Sequence, residues 1–251
     1  LAGERAAYDS RLMSVANPLS PANSETPLQA DFSVWIFAKA PVVGQCKTRL
    51  ARRLGASRAA RIYRAMLEHA VSQAVAIAPG RVTLACSPRT THPAFARLAQ
   101  RYGVTRRRQA RGTLGYRMAT GVRQALQTSE RVVVMGADQP ALDGGWLEHA
   151  LAHLTCTDHV WLAPTWDGGY WAIGLGHTNT RIFRGPVWST PRVARSTRTR
   201  ANTLGLKLSA LAPRRDIDDY RDWQQLPHAL RSTLARYATM PGLAGIARRP
   251  S

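Results

Sequence analysis

Three cations, Lys39, Lys47 and Arg49, fall in one segment, Ala38-Lys-Ala-Pro-Val-Val-Gly-Gln-Cys-Lys-Thr-Arg49, between a short apolar run and a helical pattern. The first N–H groups of a helix have no intrahelical acceptor, so cations beside them build a cradle for phosphate. Gly44 lets the backbone approach a ligand closely. Two better-known readings fail on spacing. A Walker A loop ending at Lys47-Thr48 needs glycine at positions 41 and 46, where Pro41 and Cys46 stand, and no G-x-G-x-x-G follows the apolar run. A solvated basic loop over a helix end would use the same residues.

Carboxylates form a second set. Asp138 follows the apolar run Val132-Val-Val-Met135 and lies between Gly136 and Pro140. There it is either a turn former or a ligand for a hard cation, Mg²⁺ or Mn²⁺, of the kind that shares its shell with substrate phosphates. The segment Asp216-Ile-Asp-Asp-Tyr-Arg-Asp222 offers more. An extended backbone would put Asp216 and Asp218 on one side, suited to a shared ion, although Asp218 or Asp219 could instead cap a final helix. In Asp167-Gly-Gly-Tyr170 the paired glycines admit a backbone that lets a sugar or ring lie close, with a plain hairpin turn as the alternative.

Alternating strands and helices must position these residues. Phe32–Ala38 reads as a buried strand, followed by a helical stretch from Lys47 to about Ala78, broken at Gly55, with Ser57 capping its second part. Then come strand Arg81–Cys86, helix His92–Tyr102, a short strand near Val104, helix Tyr116–Gln127 and strand Val132–Met135. A helix from about Gly144 to Leu154, with Asp143 before it, leads to strand Val160–Ala163. The Asp167-Gly-Gly169 turn joins that strand to Tyr170–Leu175, which makes the sheet mixed. Ser189-Thr-Pro191 should open another helix, and Asp219 with Asp222 a last one, as an acidic capping box.

Chain length, 251 residues with 45% hydrophobic, suits one core, and a single domain over 31–235 is expected. Residues 1–30, rich in Ala, Ser and Pro, read as a disordered extension, and 236–251 as a tail. No stretch of 18 apolar residues and no secretory pattern appears, so a cytoplasmic protein without a membrane span is expected. Cys46, Cys86 and Cys156 suggest neither disulfides nor zinc. The formal charge of +20 favours phosphate-bearing partners. Specific nucleic-acid binding is not expected: the arginines are dispersed and no recognition motif accompanies them. The sequence is silent on oligomeric state.

Taken together, F-A-K-A-P-V-V-G-Q-C-K-T-R-L, G-T-L-G-Y-R-M from Gly112, G-A-D-Q-P-A-L, A-P-T-W-D-G-G-Y-W-A-I-G-L from Ala163, V-W-S-T from Val187 and D-I-D-D-Y-R-D resemble the bacterial DUF2064 family. This is a family of small GT-A-like glycosyltransferases with members linked to arsenosugar-type pathways, and the resemblance runs from about Phe32 to Trp223. It implies a single-domain, Rossmann-like GT-A fold of the nucleotide-diphospho-sugar transferase type, a mostly parallel mixed sheet with helices on both faces. Similar loops occur in nucleotidyltransferases of the molybdenum-cofactor, phospholactate guanylyl and CMP-sugar classes. By resemblance, Ala38, Lys39, Pro41, Gly44, Lys47 and Arg49 hold phosphates, and Gly112, Leu114 and Gly115 lie near the base. Asp138 and Asp167 are catalytic, with Asp138 and Asp218 binding the metal. Gly168, Gly169, Tyr170, Trp188, Ser189 and Thr190 line the donor-sugar or acceptor pocket. The family usually has Asp where Thr113 stands and Thr where Asp219 stands. The implied activity is metal-dependent transfer from a nucleotide sugar to a small-molecule acceptor. Alternatives are nucleotidyl transfer from a nucleoside triphosphate with release of pyrophosphate, and a non-catalytic nucleotide or nucleic-acid binder.

Overall fold

A computed structural model describes residues 31–140, 145–176 and 180–239. The expected extension 1–30, Ala141, Leu142, Asp143 and Gly144 lie outside these residues. The strands are β1 (Phe32–Lys39), β2 (Val82–Ser87), β3 (Thr105–Arg108), β4 (Arg131–Gly136), β5 (His159–Pro164), β6 (Tyr170–Leu175) and β7 (Lys207–Ala210). They form one sheet in the order β3-β2-β1-β4-β6-β5-β7. Its pairs are parallel except those of β6, which runs antiparallel to both β4 and β5. The mixed sheet expected from the Asp-Gly-Gly turn is thus present.

Both faces are covered, which explains the near-continuous apolar runs of the central strands. Among the helices are α1 (Thr48–Leu54), α2 (Ala56–Ile77), α3 (Pro93–Tyr102), α4 (Leu114–Ala125) and α5 (Gly145–His153). In β1, Val34 and Ile36 face a core made with Leu67, Phe95 and Trp146 of α2, α3 and α5. Trp35 turns the other way, towards Met118 and Val122 of α4 and Ala194 and Ala201 of α6 (Val193–Thr203). A third cluster joins Leu50 and Met66 to Ile217 and to the last two helices, α7 (Tyr220–Gln225) and α8 (His228–Thr239). Among the described residues no helix is long and apolar enough to cross a membrane.

The helix starts differ in part from the expected ones. Gly55, at φ +79°, caps α2 without any side-chain bond, so Ser57 is not the cap. Helix α6 begins at Val193 rather than at Ser189, because residues 187–192 first wrap over the β5–β6 turn. There Thr190 Oγ1 donates to the Val187 carbonyl and accepts from the Arg192 amide, while Ser189 takes a left-handed φ of 64°. The capping box on α7 is present in full: Asp219 accepts from the Asp222 amide, and Asp222 accepts from the Asp219 amide. Thr113 caps α4 by accepting from the Tyr116 amide at 3.3 Å, a bond that an aspartate there would also make. Strand β7 and helix α8 were not anticipated. The first is a short, largely polar edge strand, and neither carries a strong period.

Candidate active site

Strand direction brings the chemistry to one edge. Because β1 and β4 are parallel, their carboxyl ends lie side by side, with Phe37 opposite Gly136. Antiparallel β6 begins where they end, since Ala172 lies opposite Met135. The basic loop, the Asp138 turn and the Asp167 turn therefore share the edge where open α/β sheets bind ligands.

The late carboxylates arrive by three backbone ties. Trp166 N–H donates to the Arg214 carbonyl, Arg214 N–H to the Pro164 carbonyl, and Ile217 N–H to the Asp138 carbonyl. Ile217 is wholly buried, worth about 1.5–3 kcal/mol. With that side chain anchored, Asp216 and Asp218 project to the other side, as the alternation predicts. Asp167, Asp216 and Asp218 each bring one ligand atom to within 4.8 Å of the others. Asp138 is not in this group. Its Oδ2 accepts from Lys47 Nζ at 3.2 Å, and the same ammonium donates to Asp218 Oδ1 at 2.8 Å. Arg49 reaches the second oxygen of Asp218.

Lys47 is the hub of this array. Its side chain is 7% exposed and its backbone is left-handed, at φ 45°, a conformation costing a non-glycine residue about 1–2 kcal/mol. Burial alone would lower its pKa, but Asp138 and Asp218 raise it, so it stays an ammonium. Burial likewise opposes ionisation of Asp218, yet Lys47 and Arg49 hold that carboxyl below its ordinary range. For Asp216 the nearby Lys47 is outweighed. Burial, then the charges of Asp167, Asp218 and Asp138, push it up to about 7.

That last shift has a measurable sign. A carboxyl raised in the folded state from 3.8 to about 7 contributes stability that is complete below pH 3.8 and lost as pH rises through 7. In chelator, wild-type melting temperature should fall across that window. Asp216→Asn should flatten the fall and be the more stable protein at pH 8. Identical profiles for the two proteins would show that Asp216 ionises normally.

One cavity of about 880 Å³ gathers most of the expected residues. Ala38, Lys39 and Arg49 line it from the basic loop, Leu114 from α4, and Asp138, Asp167 and Asp218 from the acidic turns. Gly169, Tyr170, Trp188, Ser189 and Thr190 complete the wall, where the Tyr170 and Trp188 rings meet edge to face at 6.3 Å. Pro41, Gly44, Lys47, Gly112, Gly115 and Gly168 do not line it. Two of these glycines act from behind the wall. A Cβ on Gly115 would lie 2.4 Å from the Trp188 indole nitrogen, and one on Gly168 would lie 1.9 Å from the Pro191 carbonyl oxygen. Gly168 also sits at φ +85° and accepts from the Ala194 amide. Gly168→Ala should therefore cost about 2–4 kcal/mol, from overpacking plus left-handed strain. A melting temperature equal to wild type would mean the turn does not seat as described.

Asp167 is fixed by Thr165 Oγ1 at 2.5 Å and the Gly169 amide at 3.0 Å, both bonding Oδ1. That leaves Oδ2 for a cation. Lys39 Nζ donates to the Gln45 carbonyl, and its amide donates to the Tyr63 hydroxyl, which closes the loop against α2. Gln109 and Arg117 join the site without having a sequence role assigned to them. The Gln109 amide nitrogen donates to the Ala38 and Ala85 carbonyls, and its oxygen accepts from Arg117 at 2.9 Å. Arg117 stands in the G-T-L-G-Y-R-M motif, and Gln109 follows directly on β3. Both residues also line an adjoining recess of about 480 Å³, with Arg89, Arg108 and Arg111. A separate group, Cys156 with Asp158 and His159, meets at the start of β5, away from this cavity.

Residues 70–190 match the family described as uncharacterized protein conserved in bacteria, DUF2064, which bears out the resemblance read from the motifs. None of the curated proteins matches the sequence. Among solved structures, the fold is similar to a protein from Desulfovibrio desulfuricans G20 described as a candidate nucleotide-diphospho-sugar transferase. The TM-score is 0.72 at 22% identity, over 82% of this chain and 95% of that one. It is also similar to a nucleotidyl transferase from Methanothermobacter thermautotroptrophicus, with TM-score 0.55 and 13% identity over 82% and 98% of the two chains. A third is CMP:2-keto-3-deoxy-manno-octonic acid synthetase complexed with CTP, at 0.52 and 10% over 82% and 99%. At these identities the likeness shows the fold, the single-domain GT-A-like α/β architecture expected from the motifs.

Proposed function

We propose that this chain is an enzyme that transfers a group from a nucleotide-activated donor, and that the reaction is metal-dependent transfer of a sugar from a nucleotide sugar to a small-molecule acceptor. The observation that carries this reading is one cavity lined by cations, Lys39, Arg49 and Arg117, and by carboxylates, Asp167 and Asp218 with Asp216 beside them, in which Arg49 pairs directly with Asp218. A donor diphosphate would lie against the cationic part of this lining. Its oxygens take charge-assisted bonds from the basic loop, and the aromatic wall of Tyr170 and Trp188 offers a face for a sugar ring.

The donor set fits a hard divalent ion: three carboxylates converge, and Asp216 cannot ionise cheaply without a neighbouring cation. Asp167, Asp216 and Asp218 would hold Mg²⁺ or Mn²⁺, with Asp138 keeping Lys47 in place. The ion would supply charge neutralisation on the diphosphate leaving group. Lys47, held under the site by two carboxylates, sets the spacing between the Asp138 turn and Asp218.

Nucleotidyl transfer is the second reading, favoured by the recess beyond Gln109, where Arg89, Arg108, Arg111 and Arg117 suit a more highly charged donor. Incubation with a panel of nucleotide sugars and nucleoside triphosphates, with and without Mn²⁺, separates the two. Release of a nucleoside diphosphate supports glycosyl transfer, and release of pyrophosphate supports nucleotidyl transfer. No turnover together with no nucleotide binding would sink both.

A further inference from the structure

We propose that the crevice between α2 and α3 binds a small tetrahedral oxyanion, either inorganic phosphate or the phosphoryl head of a monoester. The crevice encloses about 240 Å³ and is lined by Arg64, Glu68, Ala94, Arg97, Leu98 and Arg101, none of which borders the nucleotide cavity. Three guanidinium groups there face one carboxylate. Glu68, 3% exposed, is already engaged: its Oε1 accepts from Arg101 Nη1 at 2.9 Å and from the Tyr102 hydroxyl at 3.2 Å. Arg97 has no such acceptor among the described residues, and its Nε and one terminal nitrogen, Nη2, are buried without a hydrogen bond.

Buried donors on a charged group are costly to leave unsatisfied. Water can accept such bonds but cannot cancel the charge. The charges are close enough to matter, since burial first and the Arg97 guanidinium next hold Arg64 below the ordinary arginine range. An oxyanion supplies both missing quantities, acceptor atoms in the plane of the Arg97 fork and negative charge between Arg97 and Arg64. The size sets the class. Sites for drug-sized ligands run to roughly 300–1,000 Å³, so this crevice suits a single phosphoryl group rather than a nucleotide.

The test is a titration of the full chain with sodium phosphate at constant ionic strength, read by melting temperature and by calorimetry. Wild type should show a saturable rise. Arg49→Gln, which alters the nucleotide cavity, should keep that rise, whereas Arg97→Met should lose it and bind phosphate at least tenfold more weakly. Arg97→Lys keeps the charge without the fork and should bind with intermediate affinity, which covers the case in which Arg97→Met folds poorly. Glycerol 3-phosphate binding as tightly as phosphate would identify a monoester head as the ligand, and binding of phosphate alone would identify the free ion. Three results would overturn the proposal: an unchanged response in Arg97→Met, a response lost only in Arg49→Gln, or one that chloride reproduces.

Discussion

Lys47→Met should lower stability by about 3 kcal/mol, because it strips the shared cation from Asp138 and Asp218 and leaves both carboxylates beside an already strained Asp216. Breaking a fully buried pair costs roughly 3–5 kcal/mol, and the lower end applies here. Although Lys47 is 7% exposed, Asp138 and Asp218 keep 39% and 27%. For a domain of this size the loss corresponds to roughly 6–12 °C in melting temperature. By resemblance Lys47 is expected to hold phosphate. Its two ion pairs give it a part in holding the fold as well. Arg49, 65% exposed on its side chain, is the contrasting case. Arg49→Gln should cost under about 1 kcal/mol, while weakening nucleotide binding roughly tenfold through the lost charge-assisted bond. Chemical denaturation of the two variants beside wild type checks both. Equal stability of Lys47→Met and wild type would dismiss the hub.

Asp167→Asn should reduce Mn²⁺ affinity and cut turnover by roughly 10²–10³, the several kcal/mol that charge neutralisation at a leaving group supplies. The substitution is structurally mild, since asparagine keeps the Oδ1 acceptor for Thr165 and Gly169 and loses only the charge. Melting temperature should stay within a degree or two of wild type. Asp138→Asn provides the comparison, because the sequence points to Asp138 as the ligand whereas the geometry groups Asp167 with Asp216 and Asp218. Calorimetric Mn²⁺ titrations of the two variants, followed by turnover on whichever donor the panel identifies, decide between these assignments. Loss of metal binding in Asp138→Asn with full binding in Asp167→Asn would restore the first.

Apart from β7 and α8, the elements and the edge they serve are legible in residue order alone. Apolar runs such as Val132–Met135 are buried on both faces and read as central strands, and the Asp-Gly-Gly turn announced the strand reversal, because glycine pairs permit it. Local chemistry was equally legible in the capping box of Asp219 and Asp222, whose partners lie three residues apart. What lay beyond reach was set by contacts between residues far apart in the chain. Lys47 meets Asp138 and Asp218 across 91 and 171 residues. Asp216 joins Asp167 only because Arg214 bonds the turn and Ile217 fills a pocket between helices. Whether a cation or a carboxylate faces a ligand or a neighbouring charge depends on such closures. Sequence spacing constrains neighbours along a strand or helix, but a pair joined across the fold is fixed only when the sheet order and the packing of Ile217 are in place.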